Sequence, residues 1–149
     1  MTLQKKNALL AIAVGGLIAG TLDLTQAFIL FGPGVPRVIA GGLLGPQAVR
    51  GGAGTYILGV FLHFFIVFSA AAIYYAASRR LGFLKEHALV CGFFYGAAVD
   101  QVMSLIVLPL SALHVKGPYE IHDLIQGLLL HGILVGLPIS FSVRRWRTL

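Results

Sequence analysis

The chain has 149 residues, 58% of them hydrophobic and only 11% charged, with a mean hydropathy of +0.90. Soluble domains carry about 25% charged residues, so this composition excludes an ordinary soluble domain and points to one transmembrane unit over residues 1–149. The net charge of +6 requires its own account, and the single cysteine, Cys91, excludes an internal disulfide and any multi-cysteine metal or iron–sulfur site.

The first predicted element is a span over about residues 8–31. Lys5 and Lys6 ahead of Ala11-Ile12-Ala13 imitate a cleavable leader. Cleavage there would leave almost no hydrophobic stretch before the cut, so the segment reads as an uncleaved span. Residues 32–54 follow, with eight glycines and three prolines, yet also Val38, Ile39, Leu43 and Leu44. Pro36 suits the first turn of a short helix and Gly45-Pro46 would end it. The expectation is a short interfacial or re-entrant helix, serving either as a lid or pore lining or as a surface helix that fills a gap.

Three more spans are predicted at about 55–77, 87–110 and 122–143. About 20 residues cross ~30 Å of hydrocarbon at 1.5 Å per residue, and backbone amides in lipid must be satisfied within the segment, so all four are helices. The third contains "YGAAVDQVMSLIVLPL", where Asp100 and Gln101 interrupt an apolar run. Ahead of the fourth, "HVKGPYEIHDL" places His114, Glu120, His122 and Asp123 outside the membrane. These could form an external metal site, but acids at a helix start are also expected from capping and the helix dipole. Glu86 and His87 at the start of the third span have the same explanation.

Basic residues set the orientation. Lys5, Lys6, Arg79, Arg80, Lys85, Arg144, Arg145 and Arg147 fall on one side, and Arg37, Arg50 and Lys116 on the other. Eight against three under the positive-inside rule predicts that the N-terminus and C-terminus are both cytoplasmic. Topology thus accounts for the net charge, and the basic C-terminus reads as a contact for anionic lipid headgroups, not for nucleic acid. Tyr56, Tyr74, Tyr75 and Trp146 fall near the predicted interfaces, where amphipathic rings are favoured.

Three of the four spans carry a GxxxG pattern: Gly16/Gly20, Gly92/Gly96 and Gly132/Gly136. Small residues at this spacing let helix backbones approach closely. The expectation is a tight bundle, with a homo-oligomer or a membrane-complex partner as a further reading.

Each span also carries one ionisable residue: Asp23, His63, Asp100 and His131, eight to ten residues from the outer end of its helix. At 1.5 Å per residue all four lie about 12–15 Å deep. Each shares a face with small residues (Gly16, Ala19 and Gly20 with Asp23; Gly59 and Ala70 with His63; Gly96 and Ala97 with Asp100; Gly127 with His131), and Gln26 and Ser104 lie on the same faces. Small faces pack inward, so the four side chains are expected to converge. An aspartate at a helix centre costs about 2.5–3.5 kcal/mol on insertion scales, so such groups are paired.

Several roles remain open for this cluster. It could be a hydrogen-bonded set that fixes helix register, or a proton or ion relay. His63, His131 and Asp23, with Asp100, are also candidate ligands for a divalent metal. Axial haem ligation by His63 and His131 is the weakest reading, because the small-residue faces leave little room for a macrocycle. No nucleophile elbow, phosphate loop, HExxH motif or nucleotide fingerprint occurs, so nothing in the sequence argues for an enzyme.

The segments "AGTLDLTQAF", "GGLLGPQAVRGG", "LGVFLHFFIVFSAAAIYYAASRR", "GFFYGAAVDQVMSLIVLPLSA" and "LLLHGILVGLPISF" resemble a family of uncharacterised four-span bacterial inner-membrane proteins, distantly YagU-like. The resemblance covers nearly the whole chain. It implies four spans and residence in a bacterial cytoplasmic membrane, and it brings no activity with it. Asp23, His63 and His131 match the family's polar positions. Asp100 stands where an aromatic residue is usual and Ser104 where asparagine is common, so the resemblance favours Asp23, His63 and His131 as the site.

The sequence therefore predicts an all-α, integral-membrane four-helix bundle with a short helix between spans 1 and 2. Its expected function is proton, ion or metal handling at a buried Asp/His site; the alternative is an accessory subunit whose polar residues only fix packing.

Overall fold

The computed structural model describes residues 3–117 and 120–146, and among these residues the regular elements are all helices, without a strand. We label the helices α1 (Leu3–Phe31), α2 (Val35–Leu44), α3 (Ala53–Ser78) and α4 (Phe83–Glu86). Two further long helices are α5 (Ala88–Leu110) and α6 (Ile121–Arg145). Helices α1, α3, α5 and α6 are long and apolar enough to cross a membrane. Their bounds lie within a few residues of the predicted spans, with α1 beginning five residues earlier than expected. Arg147, one of the eight basic residues of the orientation argument, lies outside the described residues.

The outer surface of the bundle is apolar. Leu17, Ile29, Phe61, Phe65, Leu89 and Phe94 are all exposed, which is how a helix bundle solvated by hydrocarbon should look. The interior is built from small residues. Gly92, Gly96 and Gly136 bring α5 and α6 into backbone contact: a Cβ at Gly136 would strike the Gly92 carbonyl, and one at Gly96 the His131 carbonyl. Gly16 and Gly20 on α1 serve differently, since Phe68 and Phe64 of α3 lie over them. Here the glycines make holes for rings, and Gly132 likewise receives the Phe93 ring.

Around the bundle the close pairings run α3–α1, α1–α6 and α6–α5, whereas α3 and α5 have no comparable backbone approach. The opening between α3 and α5 is bridged at two levels. Toward the chain termini, the Tyr95 hydroxyl donates to the Ala70 carbonyl at 2.7 Å and the Tyr74 and Tyr95 rings meet edge to face. At the other end, α2 spans the gap. It packs on α3 at Gly59, where a Cβ would strike the Pro36 carbonyl, and it reaches the chain after α5 through the Ala112 amide, which donates to Gly42 at 2.9 Å. Pro36 stands in the first turn of α2, and Gly45 with φ 91° terminates it, the left-handed conformation that glycine adopts without penalty.

The half of the bundle nearer the termini is closed. Ala11, Ala71, Tyr74, Ile139 and Val143 form its core, and the Ser142 hydroxyl donates to the Ala11 carbonyl at 2.8 Å. Tyr74 corrects one expectation. Its ring is buried, and its hydroxyl is satisfied by the Leu84 carbonyl at 2.9 Å, so it belongs to this core and not to a headgroup belt.

Two spans contain a widened turn that the sequence reading did not foresee. In α5 a π-helical turn covers Met103–Val107, and in α6 another covers Gly132–Gly136. The amide of Leu108 reaches the Met103 carbonyl, and that of Leu137 reaches the Gly132 carbonyl. A proline follows each leucine: Pro109 and Pro138. Proline lacks the amide hydrogen and its ring crowds the carbonyl four residues back, and a wider turn relieves that clash.

Candidate functional site

His131 is the centre of the site. It projects from α6 immediately before the widened turn, and its Nδ1 lies 3.1 Å from the Gly127 carbonyl of its own helix. The same nitrogen is 3.1 Å from Asp100 Oδ1 on α5, while Nε2 is 3.6 Å from Asp23 Oδ1 on α1. Nδ1 therefore faces two oxygen acceptors, and this network assigns it the hydrogen. The charge of the ring is then decided at its other edge, where Nε2 faces the Asp23 carboxylate. At 3.6 Å that pair is an ionic approach and not yet a hydrogen bond.

Asp100 is the most enclosed member, with its side chain 8% exposed. Its second oxygen accepts from the Gln101 side-chain amide at 3.0 Å. The carboxylate fits because Gly127 lies opposite: a Cβ there would come within 2.7 Å of Oδ1 and 2.9 Å of Oδ2. A buried carboxylate is tolerated when its lone pairs are met, and among the described residues no buried side-chain nitrogen or oxygen lacks a hydrogen-bond partner.

His63 stands apart. Its Nε2 donates to the Gly20 carbonyl at 2.9 Å, which fastens α3 to α1. The two carboxylates that approach His131 are thus Asp23 and Asp100, whereas the resemblance favoured Asp23, His131 and His63. Among the described residues no three His, Cys, Asp or Glu side chains gather at metal-ligand spacing. His63, His131 and Asp23 as placed do not form such a set, because His63 is turned to the backbone.

All four residues nevertheless border one cavity of about 320 Å³, along with Gln26 and Ser104. A second cavity of about 480 Å³ lies toward the α2 end and shares Gln26, Phe31, Asp100 and His131 with the first. It is also lined by Asp123, whose side chain is 72% exposed, so this vestibule reaches the surface. The His131–Asp100 pair thus lines both spaces. The remaining candidates lie elsewhere: His122 and Asp123 meet each other at 3.4 Å on the exposed start of α6, His114 and Glu120 are exposed, and Glu86 and His87 sit at the α4–α5 junction. Cys91 is half-buried.

Sequence reasoning missed the two π-helical turns, which begin three residues after Asp100 and one after His131. The signal was present in the Leu-Pro pairs inside two spans. Such turns occur frequently at functional sites, and here each follows closely on one member of the Asp100–His131 pair.

Fold and site together define a polytopic, all-helical protein with a buried Asp–His–Asp set beside a vestibule open at one end. No family model, curated protein or solved structure matches the chain.

Proposed function

We propose that this protein is a small multi-pass protein of the bacterial inner membrane, with both termini cytoplasmic, that handles protons at Asp23, His131 and Asp100. The basic residues support the orientation: Lys5, Lys6, Arg79, Arg80, Lys85, Arg144 and Arg145 lie toward the closed end of the bundle. The vestibule then faces the outside. One observation carries the functional reading: a histidine is held between two carboxylates from different helices and lines both the vestibule and the cavity beside it. Intramembrane acids and histidines in such an arrangement serve proton relays, and imidazole changes charge near physiological pH.

In this reading the described state is open outward and closed inward by the Tyr74–Ile139–Val143 core. A cycle would require that core to loosen while the vestibule closes. The bond from His63 to Gly20 supports the other reading, in which polar residues fix packing, for that one residue.

Proteoliposomes with a trapped pH-sensitive dye separate the two. After an external acid pulse, vesicles with the wild-type protein should acidify faster than empty ones, and Asp100→Asn or His131→Gln vesicles should match the empty ones while retaining native melting. Unchanged rates in folded variants would leave only the packing role.

A further inference from the structure

A third space adjoins the site. Between α3 and α5, where the two backbones stay apart, a groove of about 380 Å³ is lined by apolar side chains including Phe65, Ile73, Ala98, Val102 and Val107, with Ser69 at its wall. It shares Ile66, Ala70, Val99 and Met103 with the cavity that holds Asp23, His63, Asp100 and His131. The groove opens on the face that the apolar surface assigns to lipid. The apolar groove and the chamber that holds the four ionisable residues therefore meet at Ile66, Ala70, Val99 and Met103, with α2 on one side and the Tyr95–Ala70 bond on the other.

We propose that this chamber binds a lipophilic cation, an apolar chain or body bearing one positively charged nitrogen, which enters laterally between α3 and α5 and displaces a proton on binding. The inference rests on the proton-handling reading above and names the species that competes with the proton.

Charge selects the head. The chamber presents carboxylates from α1 (Asp23) and α5 (Asp100) and imidazoles from α3 (His63) and α6 (His131), and among the described residues no lysine or arginine lines it. The vestibule adds Asp123. Arg37 of α2 is turned away, donating to the Gly51 carbonyl at 2.7 Å and lying over the Tyr56 ring. Tyr95 borders the groove, with its hydroxyl committed to Ala70. With both carboxylates ionised and His131 protonated between them, one negative charge remains uncompensated. An anionic headgroup would meet repulsion there. A cationic one replaces the proton on His131 Nε2, which leaves through the vestibule, so the buried charge stays constant. No covalent bond forms or breaks except that to the proton.

Chain and head occupy different places, so they can be tested apart. The protein is placed in nanodiscs of zwitterionic lipid and titrated calorimetrically with dodecyltrimethylammonium, with empty discs as reference. Saturable binding above the reference is expected, accompanied by proton release that is read from buffers of different ionisation enthalpy. Asp100→Asn should weaken binding at least 10-fold, dodecyl sulfate should not compete, and tetramethylammonium should bind far more weakly because it has no chain for the groove. Val102→Trp, which fills the groove and leaves the carboxylates in place, should reduce the dodecyl compound to the level of tetramethylammonium.

Binding that is indifferent to Asp100→Asn, or equal competition by dodecyl sulfate, would overturn the proposal. So would an absence of saturable binding in the wild-type protein. The acid-pulse assay contains no lipophilic cation, so a positive result there beside a negative titration sinks this inference alone.

Discussion

Asp100 Oδ1 lies 3.1 Å from His131 Nδ1, and this contact between α5 and α6 exists because residue 127, one helical turn before the histidine, is glycine. The same turn supplies the carbonyl that shares the Nδ1 hydrogen. A charged residue that insertion energetics disfavour is thus held by one side chain across the interface, by Gln101 beside it, and by an empty Cβ position.

A first prediction concerns that empty position. Gly127→Ala should destabilise the protein by about 1–3 kcal/mol, the usual cost of adding a methyl group to a packed site, because the new Cβ would lie 2.7 Å from Asp100 Oδ1. In an Asp100→Ala background the same change should cost far less, since groups in contact are energetically coupled. Thermal unfolding of the four proteins in detergent measures this. Equal costs in both backgrounds would mean that the carboxylate does not occupy this place.

The glycines should not respond alike to enlargement. Gly96 and Gly136 face backbone across the α5–α6 contact, where nothing can rotate away, whereas Gly20 faces the Phe64 ring, 2.6 Å from a built Cβ. Alanine at Gly136 should therefore cost more than alanine at Gly20, and leucine at Gly96 should lower expression more than leucine at Gly20. Melting temperatures in detergent give the order. Gly20 as the more sensitive site would mean that the α1–α3 contact, not α5–α6, holds the bundle.

Orientation is tested by reporter fusions. An enzyme active only in the cytoplasm should work when fused after Leu149 or within Arg79–Lys85, and it should be silent after Lys116. Activity after Lys116 would put the vestibule on the cytoplasmic side and reverse the proposed direction of proton access.

Four long helices and a short one between the first two were legible in the sequence, because span length, apolar content and the Pro36 and Gly45-Pro46 punctuation are local properties that lipid enforces strongly. Depth was legible as well: rise per residue places Asp23, Asp100 and His131 at one level. What rise cannot supply is rotation, which decides who touches whom. His63 lies at the same level, yet its ring is turned to the Gly20 carbonyl, and the contact falls instead to Asp100, the residue that the family resemblance set aside. Helix order around the bundle, with α3 and α5 left apart, also arises only in three dimensions, since each pairing depends on which small faces meet. The widened turns lie between these cases. Pro109 and Pro138 announce a local break in the hydrogen-bond ladder, but the packing of Gly96 against the turn at His131 decides how that break is used.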